Sequence, residues 1–144
     1  MRISIVIATF FYLGNIKPFP GTLASLATLI LWTLFVPVEN YIRFLFLLTI
    51  ILLGFLSTKF ALTSFKEKDP QSIVIDEVVG MSIPLFFILE DIILAFIAFF
   101  LFRIFDILKP SIIYYSQSLK GHYGVLFDDI IAGIITALII INYT

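Results

Sequence analysis

Five carboxylates stand in or beside apolar runs, where a charge is costly. Asp76 and Glu77 follow Ile73-Val74-Ile75, Asp128 and Asp129 follow Val125-Leu126-Phe127, and Asp106 lies between Phe105 and Ile107. In such surroundings a carboxylate needs a partner, water or a cation. Hard oxygen donors of this kind suit Mg2+, which keeps several waters and shares its shell with phosphate. Asp76, Glu77, Asp106, Asp128 and Asp129 are therefore candidate metal ligands and catalytic groups. Arg103, Asp106 and Lys109, spaced i, i+3, i+6, share a slowly drifting helix face, so two cations flank one carboxylate. Arg103 would offer phosphate a two-pronged donor and Lys109 a point charge. The same spacing also describes an ion-pair ladder in which both cations only neutralise carboxylates, and both readings stand here.

A second group precedes an apolar segment: Asn15-Ile16-Lys17-Pro18-Phe19-Pro20-Gly21-Thr22, with Ser25 three residues on. Free N–H groups at a helix start, with hydroxyls beside them, form an anion site, which makes Lys17, Gly21, Thr22 and Ser25 candidate phosphate contacts. Plain capping of the first turn by Thr22 or a neighbour explains the same residues equally well. Lys120-Gly121-His122-Tyr123-Gly124 is a flexible approach to the Asp128-Asp129 pair, and His122, the only histidine, reads as a bystander more readily than as an acid. Gly133 lies on the same helix as that pair, where it allows close helix packing.

The elements that must carry these groups are apolar. Of 144 residues, 61% are hydrophobic and 13% charged, with a mean hydropathy of +1.14. A soluble domain has about twice that share of charge. Lipid is therefore the expected solvent. Net charge is −1, which supplies no field for nucleic acid, and without cysteine there is no disulfide or thiol nucleophile. Five apolar segments are expected to span: Thr22–Val36, Tyr41–Phe65, Ile73–Leu89 with a kink at Pro84, Asp91–Leu108, and a last one from Val125 or a little earlier to Ile141. Ile3–Leu13 is too short to cross and reads as an interfacial or half-inserted helix. It does not read as a signal peptide, because no small-residue cleavage site follows it. Strand-like alternation is missing, so the expected fold is all-α, a polytopic helical bundle forming one domain over 1–144.

On an up-and-down path through five spans, the charges gather at one end. Lys17, Lys59, Lys66, Lys68, Arg103, Lys109 and Lys120 fall there with the five carboxylates, while Glu39, Arg43, Glu90 and Asp91 fall at the other. Lys and Arg in short loops resist translocation, so the charged end is expected to face the cytoplasm. Tyr114 and Tyr115 read as interface anchors.

Four blocks now carry a resemblance. Pro20-Gly21-Thr22-Leu23-Ala24-Ser25-Leu26, Ile73-Val74-Ile75-Asp76-Glu77-Val78-Val79-Gly80-Met81, Phe102 through Pro110 with Arg103, Asp106 and Lys109, and Asp128-Asp129-Ile130-Ile131-Ala132-Gly133 occur in the order found in the phosphatidylglycerophosphatase A family. The sequence resembles that family over nearly its whole length. It departs at Ala24 and His122, where the family commonly has glycine. The resemblance implies a Mg2+-dependent enzyme of the bacterial inner membrane that converts phosphatidylglycerophosphate to phosphatidylglycerol. It also implies that Asp76, Glu77, Asp106, Asp128, Asp129, Arg103 and Lys109 hold its motif positions.

The residue inventory points the same way. Cysteinyl-phosphate chemistry is closed, a pair of histidines is missing, and no Asp-x-Asp pair is present. What remains is metal-assisted attack by water, with an aspartyl nucleophile as the open alternative. A small transporter with an acidic ion site is the competing class, although it would bury its carboxylates nearer the midplane. A CDP-alcohol phosphotransferase would need a long acidic signature on one helix that this chain lacks.

Overall fold

The computed structural model describes residues 2–62, 71–110 and 122–143, and every element among them is helical. The expectations for Lys66, Lys68, Tyr114, Tyr115, Lys120 and the His122 side chain lie outside the described residues. The order is α1 (Arg2–Ala8), a 3-10 turn (Leu13–Asn15), α2 (Pro20–Phe35), α3 (Asn40–Leu62), α4 (Ile75–Phe87), α5 (Ile92–Leu108) and α6 (His122–Tyr143). Proline and turn chemistry set several ends. Pro20 takes the first position of α2, where its fixed φ fits and its missing N–H costs nothing. Val36, held extended before Pro37, stops that helix. Asp91 caps α5 by accepting from the Leu94 N–H at 2.9 Å.

α4 occupies the centre, packed against α2, α3, α5 and α6, with nine of its 13 residues buried. Met81, Leu85, Trp32, Ala98 and Phe102 form one core cluster on it. Ala8, Ala24, Ala61 and Val78 form a second nearer its start. The apolar stretch at the N-terminus is shorter in helix than expected. α1 ends at Ala8, whose carbonyl accepts from the Val74 N–H, and the chain then turns through Phe10, Phe11 and Tyr12, all left-handed with φ of 45°, 56° and 67°. Such residues cost roughly 1–2 kcal/mol each. The buried Thr9 steadies the turn by accepting from the Tyr12 N–H while donating to the Ile5 carbonyl.

At the far end of α4 the chain solves a different problem. Its last carbonyls are buried, and Arg43 of α3, 1% exposed, reaches them: Nη2 donates to Leu85 and Ile88 and Nε to Phe86, while the guanidinium lies 5.0 Å from the Trp32 ring centroid. Arg43→Ala is expected to lower stability in detergent by about 2 kcal/mol, because charge-assisted bonds to buried acceptors are lost together. Equilibrium unfolding checks this, and a change below about 0.5 kcal/mol would mean that water replaces the cap.

Of the five expected spans, α3 with 23 residues and the Leu126–Tyr143 part of α6 are long and apolar enough to cross a membrane. α2, α4 and α5 have 16, 13 and 17 residues, short of the ~20 a perpendicular span needs. α4 falls furthest short, because Ile73 and Val74 before it and Ile88 after it are not helical. It continues through Pro84 for less than one turn.

A candidate metal and phosphate site at the meeting of four helices

The site begins with a helix crossing. α4 and α6 make the most extensive helix contact, and Gly80 and Gly133 mark where they approach. A methyl group on Gly133 would lie 2.3 Å from the Gly80 carbonyl oxygen, and one on Gly80 would lie 2.6 Å from the Asp129 carbonyl oxygen. Pro84, four residues after Gly80, has no N–H to give that carbonyl, so the oxygen is left free to face α6. Small residues let the backbones touch, and the touching backbones bring the acidic turn of α4 beside that of α6.

Asp76, Glu77 and Asp129 each present a carboxylate oxygen in one group whose members lie within 4.8 Å of one another. Asp76 and Asp129 are buried and Glu77 is nearly so. Asp76 Oδ1, Glu77 Oε2 and Asp129 Oδ2 have no hydrogen-bond partner. Three anionic side chains from two helices, converging with lone pairs unused, are costly unless a cation joins them. The donor set is hard, close and preassembled, and it could hold a divalent metal ion.

The other two expected ligands are occupied differently. Asp106 pairs with Arg103 on the same face of α5, as the i, i+3 spacing predicts, and Arg103 Nη1 also lies 3.9 Å from Glu77 Oε1. Asp128 accepts from Lys109 Nζ at 2.8 Å and from the Asp129 N–H at 3.1 Å. Lys109 therefore bonds to Asp128 and not to Asp106, although it stays close enough to Asp106 to feel its charge. Lys109 is the left-handed residue that ends α5, φ 44°, so helical spacing no longer governs it and its side chain crosses to α6. Burial pulls the Lys109 ammonium down, but its bond to Asp128 and the charges of Asp128, Asp129 and Asp106 outweigh that and hold its pKa above the ordinary value. Both cations keep spare donors. Arg103 Nε is buried without a partner, and an ammonium has three N–H bonds.

α2 completes the wall. A methyl group on Gly21 would fall 1.9 Å from Glu77 Oε1, so only glycine leaves that carboxylate its place against the start of α2. The positive end of the helix then faces an anion. Thr22 sits in the first turn, partly buried, and does not cap it. Phe19 is the N-cap residue, φ 62°, with no side-chain bond, because Pro20 sets the start two residues earlier than expected. Ser25 is buried and donates to the Gly21 carbonyl at 2.9 Å, while Lys17 is exposed ahead of the helix.

A family model described as Phosphatidylglycerophosphatase A matches residues 6–143, which include every residue named in this site. The chain belongs to the phosphatidylglycerophosphatase A family. A phosphatidylglycerophosphatase A of Haemophilus influenzae is 37% identical over 140 residues, covering 94% of this chain and 85% of that one. The Escherichia coli protein of the same name is 34% identical over 122 residues, 82% of this chain and 70% of its own. A Bacteroides thetaiotaomicron protein provisionally named a phosphatidylinositol-3-phosphatase is 40% identical over 78 residues, 51% of this chain. The match spans only about half, 48%, of that relative's length. No solved structure matches this chain significantly. As a member of the family the chain is a phosphatase enzyme, which does not favour the transporter reading.

Two features of the site escape a reading of residue types. Gly80 looks like any glycine in an apolar helix, and its only signal is Pro84 four residues on, which removes the donor to its carbonyl. Gly21 looks like an anion-loop glycine, yet the space a side chain would take there is filled by the Glu77 carboxylate.

Proposed function

We propose that this phosphatase removes the terminal phosphate of phosphatidylglycerophosphate to give phosphatidylglycerol, with Mg2+ held by Asp76, Glu77 and Asp129. The observation that carries the reading is the set of three unpartnered carboxylate oxygens beside two cations with donors to spare. When bound, Mg2+ would supply Lewis-acid polarisation of the phosphoryl group. The chain's own residues do the rest. Arg103 meets the phosphoryl oxygens through its unused N–H groups, and Asp106 holds its guanidinium in place. Lys109, oriented by Asp128, adds a second positive charge. The start of α2, with Gly21, Thr22 and Ser25, backs the Glu77 side of the pocket, and Lys17 meets the headgroup from solvent. In the hydrolysis a water oxygen bonds to phosphorus, the bond from phosphorus to the glycerol oxygen breaks, and that oxygen takes a proton. Rapid-quench trapping separates this route from one through an aspartyl phosphate.

The membrane reading rests on an inverted distribution of side chains. Leu45, Leu48, Leu52 and Leu56 of α3 and Ile93, Ile97, Phe100 and Ile104 of α5 face outward, while Arg43, Asp106, Asp128 and Asp129 are buried. In water that order would be reversed. We read α2 to α6 as a five-helix bundle, embedded as a single unit in a bacterial inner membrane. The shorter helices leave the carboxylate end near the headgroup layer. Lys17, Lys59, Arg103 and Lys109 at that end support a cytoplasmic orientation, since Lys and Arg in short loops resist translocation.

Phosphate release from phosphatidylglycerophosphate by the purified protein in detergent micelles tests the reading. Release is expected with Mg2+ and is expected to fall at least about tenfold on chelation. Phosphatidylinositol 3-phosphate, assayed in parallel, is expected to be the poorer substrate. A folded, Mg2+-supplied sample that releases nothing from the first lipid would overturn the proposal.

A further inference from the structure

Two apolar cavities adjoin along α2 and α3. One of about 500 Å3 reaches Phe35, Pro37 and Ile42; the other, about 130 Å3, reaches Leu53, Ile75 and Val78, and the two share Phe10, Leu31 and Phe46. No side chain lining the first carries a polar atom. The hydroxyl in the second, Thr28, is spent on the Ala24 carbonyl at 2.8 Å. We propose that these two adjoining cavities together form a groove that holds an acyl chain of the lipid phosphomonoester whose headgroup occupies the carboxylate site.

Three observations favour that occupant. The inner end is lined by Ile75 and Val78, in the same first turn of α4 as Asp76 and Glu77, so the groove ends at the level along α4 where the phosphate would sit. Along α3 its wall runs from Ile42 to Leu53, about 17 Å at ~1.5 Å per residue, which matches the length of one acyl chain, about half of a ~30 Å hydrocarbon core. The junction is built from Phe10, which the strained left-handed turn after α1 places there, with Phe11 beside it. Strain of that kind persists where surrounding structure imposes it, commonly at a ligand. The inference rests on the phosphatase reading for the headgroup's place, but the groove can be tested without turnover.

Trp32 is the only tryptophan and stacks edge-on against Phe46, with ring centroids 5.4 Å apart, so its fluorescence reports on the groove. The probe is a diacyl lipid with brominated chains and a non-hydrolysable phosphonate headgroup, titrated with Mg2+ into protein micelles. Saturable quenching of Trp32 is expected. Ala27→Phe, which fills the wider cavity, should weaken it about tenfold, and Ala27→Leu should do so less. The smaller variant carries the test if the larger one does not fold. In the activity assay, the preference for diacyl phosphatidylglycerophosphate over its soluble dibutanoyl analogue should fall by a similar factor. Equal quenching by brominated phosphatidylcholine would mean annular lipid only, and it would overturn the groove, as would quenching that Ala27→Phe and Ala27→Leu leave unchanged. If wild-type protein hydrolyses neither substrate, the proposed phosphatidylglycerophosphate activity fails, while the quenching result still decides the groove.

Discussion

Asp129→Asn is expected to reduce phosphate release by about 10^3-fold or more while the protein remains folded. The carboxamide keeps the shape of the side chain but withdraws the charge and one hard donor from the group formed with Asp76 and Glu77. Without metal, that group concentrates three buried or nearly buried acids with unpartnered oxygens, so removing one charge relieves repulsion. The metal-free variant should therefore melt no lower than metal-free wild type. Added Mg2+ should raise the melting temperature of wild type, since a ligand that binds only the folded state stabilises it, and should leave the variant nearly unmoved. Asp76→Asn should behave alike. Full activity in either variant would remove these carboxylates from the metal site.

Gly133→Ala is expected to cost about 3 kcal/mol of stability and about 10^2-fold in turnover. Helix propensity alone predicts the opposite sign, a gain of about 1 kcal/mol. The contact decides, because the new methyl group would stand 2.3 Å from the Gly80 carbonyl oxygen, which is backbone and cannot rotate away. α4 and α6 must separate, and separation draws Asp129 away from Asp76 and Glu77. Detergent unfolding and phosphate release from the same preparation check both numbers. Unchanged activity with lowered stability would mean that the carboxylate group tolerates a looser crossing.

What the sequence discloses here is local. The acidic turns, Arg103 beside Asp106, and the helical class follow from residues near one another in the chain, and all three are present in the structure. What it withholds depends on pairs from different helices. The five carboxylates divide into a group of three and two that hold cations, because Lys109 leaves its helix and reaches Asp128. Gly133 reads as a packing residue, but its partner Gly80 is visible only once α4 and α6 cross. The turn at Phe10, Phe11 and Tyr12 has neither glycine nor asparagine to announce left-handed backbone. Helix ends also shift where a proline or an extended residue intervenes, which shortens α4 to 13 residues.

Arg43 has a consequence for how such a chain could be assembled. Its guanidinium lies near the start of the longest apolar helix, yet its hydrogen-bond acceptors are the carbonyls of Leu85, Phe86 and Ile88 at the far end of α4. In a bilayer, α3 by itself would carry that charge unmatched, and α4 by itself would carry bare carbonyls. Each is tolerable once the other has arrived. If both helices lie in lipid, as proposed above, neither has its polar groups satisfied until α3 and α4 have packed together.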